Sequence, residues 1–304
     1  MEYCCKKFHY DYYYYYSGSI SRLVVINIKS LYYYDKIENI KNAIVKNDND
    51  YIIRKINKVS IKSLIDIIKY FIVVNNTHYF EYSINTGKIN IDYDDNIFWK
   101  LAISHNSYDV INFLINLKID VNICDNYAII IAAHNNNMEL FSLLMKNGAD
   151  ISNKHVQRIF IVQESQENLN FLAKNGIDLI KNSKNITLAV SLRNQKMVKY
   201  FIDLGYDILF NNNLLLRVAI NSGDVEIVKL LLSNGANVND LTIDDIVCVI
   251  RFHFIKMIPI LIDAGYDFKI LESLSSHGEI SRITENMEIL GVDFKNLFRI
   301  LINH

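Results

Sequence analysis

At 304 residues the chain has the length of about two ordinary domains, and 51% hydrophobic with 12% aromatic residues supplies enough apolar surface for a core, which excludes wholesale disorder. Its 32 Lys and Arg against 33 Asp and Glu leave a formal charge of −1, so no charge excess points to nucleic acid or an anionic membrane. The single proline, Pro259, argues against collagen-like, proline-linker and turn-dense β-sandwich architectures and favours a mainly helical chain.

Residues 1–94 are the least patterned part. Tyr12–Tyr16 and Tyr32–Tyr34 are low-complexity tracts in a chain rich in Ile and Asn, best read as biased composition. No short apolar core with a small-residue cleavage site follows the N-terminus, as a signal peptide requires. The four cysteines, Cys4, Cys5, Cys124 and Cys248, form no CxxC pair, which fits a reducing, cytoplasmic setting. Residues 36–60 read as a degenerate helix pair around AIVKNDNDYIIRKI. Residues 61–74 read as an amphipathic helix, and 79–94 as a hairpin turning at Asn85-Thr86-Gly87. The region serves as an N-terminal cap or a small module. No window reaches the roughly 18 uninterrupted apolar residues of a membrane span.

From residue 95 a repeat takes over. Six glycines share one context: Asn147-Gly148-Ala149-Asp150, Asn175-Gly176-Ile177-Asp178, Leu204-Gly205-Tyr206-Asp207, Asn234-Gly235-Ala236-Asn237, Ala264-Gly265-Tyr266-Asp267 and Leu290-Gly291-Val292-Asp293. An earlier copy, Leu117-Lys118-Ile119-Asp120, lacks only the glycine. The Asp or Asn at 120, 150, 178, 207, 237, 267 and 293 are spaced by 30, 28, 29, 30, 30 and 26. Eighteen residues upstream stand Ala102, Ala132, Phe160, Ala189, Ala219 and Val249, mostly small residues on a first helix. Nine upstream stand Ile111, Phe141, Leu169, Val198, Val228 and Ile258, and six upstream Leu114, Leu144, Leu172, Phe201, Leu231 and Leu261. Those two rows lie on one face of a second helix. The glycine suits a left-handed helix stop, a strain that Lys118 must bear itself. Helices this short are marginal alone and cover their apolar faces only by stacking, so the fold must be a solenoid. The units run approximately 95–124, 125–153, 154–182, 183–211, 212–240, 241–270 and 271–294, with 295–304 as a C-terminal cap. The 154–182 copy is the weakest internal one, since Phe160 and Glu164 replace a small residue and a turn glycine.

The stretch LLRVAINSGDVEIVKLLLSNGANVND, residues 215–240, resembles the ankyrin repeat. The family's roles fall on Ala219, Gly223, Glu226, Val228, Leu231, Leu232, Gly235, Ala236, Asn237 and Asn239. The resemblance implies an all-α ankyrin-type helix-turn-helix solenoid with short inter-repeat loops or hairpins, acting as a non-enzymatic scaffold for a protein partner. The composition is similar to that of the divergent ankyrin-repeat proteins of amoeba-infecting giant viruses, mimivirus type, which implies a host protein as partner and the host cytoplasm as location. Two departures stand out: no copy carries the family's Thr-Pro-Leu-His, and the period is shorter than the family's roughly 33 residues. The residues removed are those of the projecting finger, so the tips should be stubby.

Catalysis finds little footing. The glycines form no phosphate loop. His105 and His134 recur in register, but stacked helices lie roughly 8–10 Å apart while zinc needs both nitrogens at about 2.0–2.1 Å. The recurring Asp120, Asp150, Asp178, Asp207, Asp267 and Asp293 fit turn hydrogen bonding better than acid–base chemistry. Catalytic residues, cofactors and metals are therefore not assigned. Cys4-Cys5 lacks the polybasic or apolar neighbourhood of a lipid anchor. The second functional reading is a substrate-recruiting adaptor for an enzyme complex such as a ubiquitin ligase. Core positions repeat for packing, so partner information must sit in variable tips, where large apolar side chains lack a structural purpose. Tyr127, Phe210 and Leu241 are the candidate contacts, with His155 and Asn212 beside them.

Overall fold

The computed structural model describes residues 37–251 and 255–266. The Tyr tracts, Cys4-Cys5, Asp267, the 271–294 copy and the 295–304 cap lie outside them. All regular elements among the described residues are helices. They come as pairs: α1 (Glu38–Val45) with α2 (Asn49–Lys58), α3 (Ile61–Val73) with α4 (Thr77–Asn85), α5 (Tyr93–His105) with α6 (Tyr108–Asn116), and α7 (Ile123–His134) with α8 (Met138–Lys146). Next come α9 (Lys154–Val162) with α10 (Gln166–Lys174), α11 (Lys184–Ser191) with α12 (Gln195–Asp203), and α13 (Phe210–Ser222) with α14 (Val225–Ser233). The helices α15 (Ile243–Arg251) and α16 (Ile258–Asp263) follow. The hairpin expected at 79–94 is absent. Asn76 instead caps α4 by accepting from the Tyr79 amide at 3.2 Å, and Tyr79, Phe80 and Ser83 are buried at helical spacing.

Each pair closes on the same backbone device. One residue after the first helix is left-handed: Asn47, Asn75, Asn106, Asn136, Glu164, Arg193 and Gly223, at φ between 52° and 74°. The next residue then turns its N–H back onto a carbonyl five positions earlier. Ser107 bonds to Ala102, Asn137 to Ala132, Ser165 to Phe160, Asn194 to Ala189 and Asp224 to Ala219, at 2.8 to 3.3 Å. That residue also opens the second helix, and its side chain caps it: Asn137 accepts from Leu140 at 3.0 Å, Asn194 from Met197 at 2.9 Å and Asp224 from Ile227 at 3.0 Å. Second helices end the same way, with Gly148, Gly176, Gly205, Gly235 and Gly265 at φ 88° to 98° and Lys118 at 62°. The expected strain at Lys118 is therefore present.

The compact units are residues 1–150 and 151–304. Within the first, α3, α5 and α7 pack in a row, and α4 packs on α6. Within the second, α9, α11, α13 and α15 form the row of first helices. The small register residues make those rows close: Ala102, Ala132, Ala189 and Ala219 are fully buried, as is Phe160. The two rows of second-helix residues, from Ile111 and Leu114 to Val228 and Leu231, are buried without remainder. Side chains of adjacent turns also bond across the repeat. Asn75 donates to Asp109 at 2.8 Å, Asn137 to Asn106 at 2.9 Å, and the Ser107 hydroxyl to the Ile72 carbonyl at 2.6 Å.

A Cβ at position 235 would meet nothing within 4 Å and φ is +98° there, so the penalty of a β-branched residue is backbone strain. Gly235→Val should lower stability by roughly 1–3 kcal/mol, whereas Lys118→Gly and Arg193→Gly should each raise it by about 0.4–1 kcal/mol. Urea unfolding of the three variants checks this, and equal small effects would contradict the shared stop geometry.

Candidate functional site

The tips between units are built by their acidic residues. Asp120 accepts from the Asn122 amide at 2.9 Å, Asp178 from Ile180 and Lys181 at 3.1 and 3.0 Å, Asp207 from Leu209 at 3.0 Å, and Asn237 from Asn239 at 3.0 Å. These are side-chain-to-backbone turns, the role expected for the recurring Asp. Past the turn, the chain enters the first helix through left-handed residues where a finger would stand: Asp94-Asp95-Asn96, Cys124-Asp125-Asn126, and Asn211 and Asn213. Asp and Asn tolerate this region better than other non-glycine residues.

The five candidate contacts fare differently. Phe210 opens α13 with 51% of its surface exposed, and Asn212 follows two residues later. His155 is half-buried at the start of α9, and its pKa is lowered by burial, then by Lys154 and Arg158. Tyr127 is half-buried on α7. Leu241 is buried at 8% exposure. A short 3-10 turn, Val238–Asp240, brings the Leu241 amide onto the Val238 carbonyl at 3.1 Å, which turns this side chain inward. It covers the unit and presents nothing to a partner.

Two further residues belong to the exposed set. Leu209 is 51% and Ile180 37% exposed, each two places after its tip Asp, where other copies carry Asn122, Ser152 and Asn239. That departure was visible by comparing copies. The tip bearing Leu209 and Phe210 is locked from below. Asn213, 1% exposed, accepts from the Asn237 amide at 3.4 Å and donates to the Asp240 carboxylate.

In the first unit, Lys100 donates to Asp95, and Cys124 approaches the Asp95 carbonyl at 3.7 Å. His105 Nδ1 is within hydrogen-bonding distance of the Leu101 carbonyl, at 3.1 Å, and His134 is exposed. No His, Cys, Asp or Glu cluster among the described residues could hold a metal. A shallow, open depression lined by Asn75, Asn76, Thr77 and Asp109 is the gap between stacked turns. Among the described residues, no helix is long and apolar enough to cross a membrane.

Burial first, and Cys124 second, push the Tyr127 hydroxyl up to about 12. Unfolded tyrosines titrate near about 10, so the folded chain holds this proton more tightly. The stability tied to it is complete below about pH 10 and is lost as pH rises toward about 12. Tyr127→Phe should therefore flatten the alkaline fall in urea midpoint over that window; identical falls in both proteins would place the hydroxyl in water.

Comparison with known proteins agrees with the repeat geometry. A family model described as ankyrin repeats in three copies matches residues 159–242, and another, ankyrin repeats in many copies, matches residues 98–152. The chain is similar to putative ankyrin repeat protein R599 of Acanthamoeba polyphaga mimivirus, 23% identical over 286 residues, covering 86% of this chain and 79% of that one. It is similar to R601 of the same virus at 29% identity, with 63% of each chain covered. Phosphocholine transferase AnkX of Legionella pneumophila is 32% identical over 126 residues, 39% of this chain and 13% of the enzyme. With these matches lying on the helix pairs and their left-handed stops, residues 98–152 and 159–242 of the chain are ankyrin repeats.

Proposed function

We propose that the chain is a protein-binding scaffold that holds its partner on the tips and first helices of residues 151–251 and performs no chemistry itself. The observation that carries this is the pair Leu209 and Phe210, each 51% exposed on a tip whose backbone Asn213 clamps from beneath. Large apolar side chains held rigidly in water are the usual anchors of an interface, and rigidity lowers the entropy lost on binding. His155, at the start of α9, and Asn212, two residues after Phe210, are the polar candidates within this unit, and Tyr127 is a separate candidate on residues 1–150. R599 and R601 are viral, which favours a host protein as partner and the host cytoplasm as location. The similarity to AnkX reaches 13% of that enzyme and supports no transferase activity here. The adaptor alternative needs machinery contacts from residues 1–94 or 271–304, the latter lying outside the described residues.

Affinity purification from Acanthamoeba lysate with the full chain tests the scaffold. A partner retained by the wild type should be lost with Phe210→Ala at an unchanged thermal midpoint. Leu241→Ala should keep the partner while lowering stability by about 2–4 kcal/mol. Retention of the same proteins by Phe210→Ala would remove the tip from the interface.

A further inference from the structure

We infer that the face made by the 178–184 and 207–213 tips together with the start of α9 takes an acidic protein segment carrying one apolar anchor side chain. This rests on the scaffold reading and specifies its partner. The apolar half of the face is Ile180, Leu209 and Phe210. The fold does not ask for them there, because the Asp-closed turn accepts Asn122, Ser152 or Asn239 at the same register as Ile180 and Leu209. The cationic half is Lys154, Lys181 and Lys184, all exposed. None of the three belongs to an ion pair among the described residues, where the pairs are Lys41 with Glu38, Lys100 with Asp95, Arg217 with Asp245 and Lys229 with Glu226.

The tip carboxylates form no ion pair with these lysines among the described residues. Asp178 and Asp207 accept from their own tip amides. Asp245 takes Arg217 at 2.9 Å, and Asp240 takes Asn213. Helix stability does not explain the lysines either. Lys154 and Lys184 begin α9 and α11, whose first turns contain no acid, whereas α10 and α14 begin with Glu167 and Glu226. A cation at that end of a helix opposes the helix dipole. Burial first, and then Lys154 and Arg158, lower the pKa of His155 beside them. An occupant with carboxylates meets the three lysines, and its apolar side chain meets Phe210. Two of the three apolar residues are aliphatic, which suits a side chain better than a stacked base, since single-stranded nucleic acid is held by aromatic platforms.

A phage-displayed library of short random peptides, selected on the full chain, tests this. Enriched peptides should cluster Asp and Glu beside Leu, Ile, Phe or Trp. Fluorescence anisotropy of an enriched peptide should show roughly tenfold or greater weakening with Lys181→Glu/Lys184→Glu and with Phe210→Ala. It should also show weakening between about 50 and about 300 mM salt, with thermal midpoints preserved because these side chains are exposed. Neutral or basic peptides, or affinities indifferent to both variants, would overturn the acidic partner while leaving a scaffold. No enrichment at all would refute both. Tighter binding of a labelled single-stranded oligonucleotide or of anionic vesicles through the same residues would also overturn it.

Discussion

A helix of eight or nine residues must stop before it can be stacked, and from α5 to α14 each stop uses one left-handed residue followed by an N–H that reaches back five positions. The hydrogen bond from Asn137 to Ala132, or from Asp224 to Ala219, satisfies a carbonyl that would otherwise be orphaned at the helix end. It also aims the following helix back along the first. Because the accepting carbonyl belongs to the buried register residue of the first helix, turn geometry and core packing are fixed at the same place. The spacing of the whole solenoid follows from that coincidence, unit after unit.

The device explains which residues are free to carry function. Ala, the two rows of second-helix aliphatics, and the N-cap are committed in every copy to packing or to backbone hydrogen bonds. The tip Asp is committed as well, since its oxygen closes the turn. What remains are the one or two positions after it, and there the copies differ: Asn122, Ser152, Ile180, Leu209 and Asn239. A polar residue at such a place needs no explanation. Leu209 and Phe210 do, because Asn213 spends a buried amide holding them where water reaches them.

The repeat was legible because it rests on residue types that recur: glycine past the second helix, alanine in the first, aliphatics at fixed offsets. The first turn of each pair was harder to read. Its left-handed position is filled by Asn in four copies, by Glu164, by Arg193 and once by Gly223, so no single residue type marks it. The 79–94 segment is ambiguous in sequence for a related reason. Alternation around Asn85-Thr86-Gly87 looked like a strand pair, but Asn76 supplies a helix cap and Tyr79, Phe80 and Ser83 supply a helical face. Leu241 is ambiguous in sequence because an apolar residue in a tip can be either anchor or plug. The short 3-10 turn before it decides, and nothing in local composition announces that turn.

Strain is not shared evenly among the units. Glycine carries the left-handed conformation at little penalty, while Glu164, Arg193 and Lys118 hold it against their own side chains. Glu164 and Arg193 end α9 and α11, the two first helices whose opposite ends carry Lys154 and Lys184 with no acid in the first turn. Both ends of these helices are therefore less favourable than the fold would require. Such residues persist where something other than helix stability retains them, and here the cationic ends adjoin the exposed Ile180, Leu209 and Phe210. The same short stretch of chain departs from the repeat's own rules at its turns, its helix starts and its tips, and the departures at the starts and tips adjoin one another.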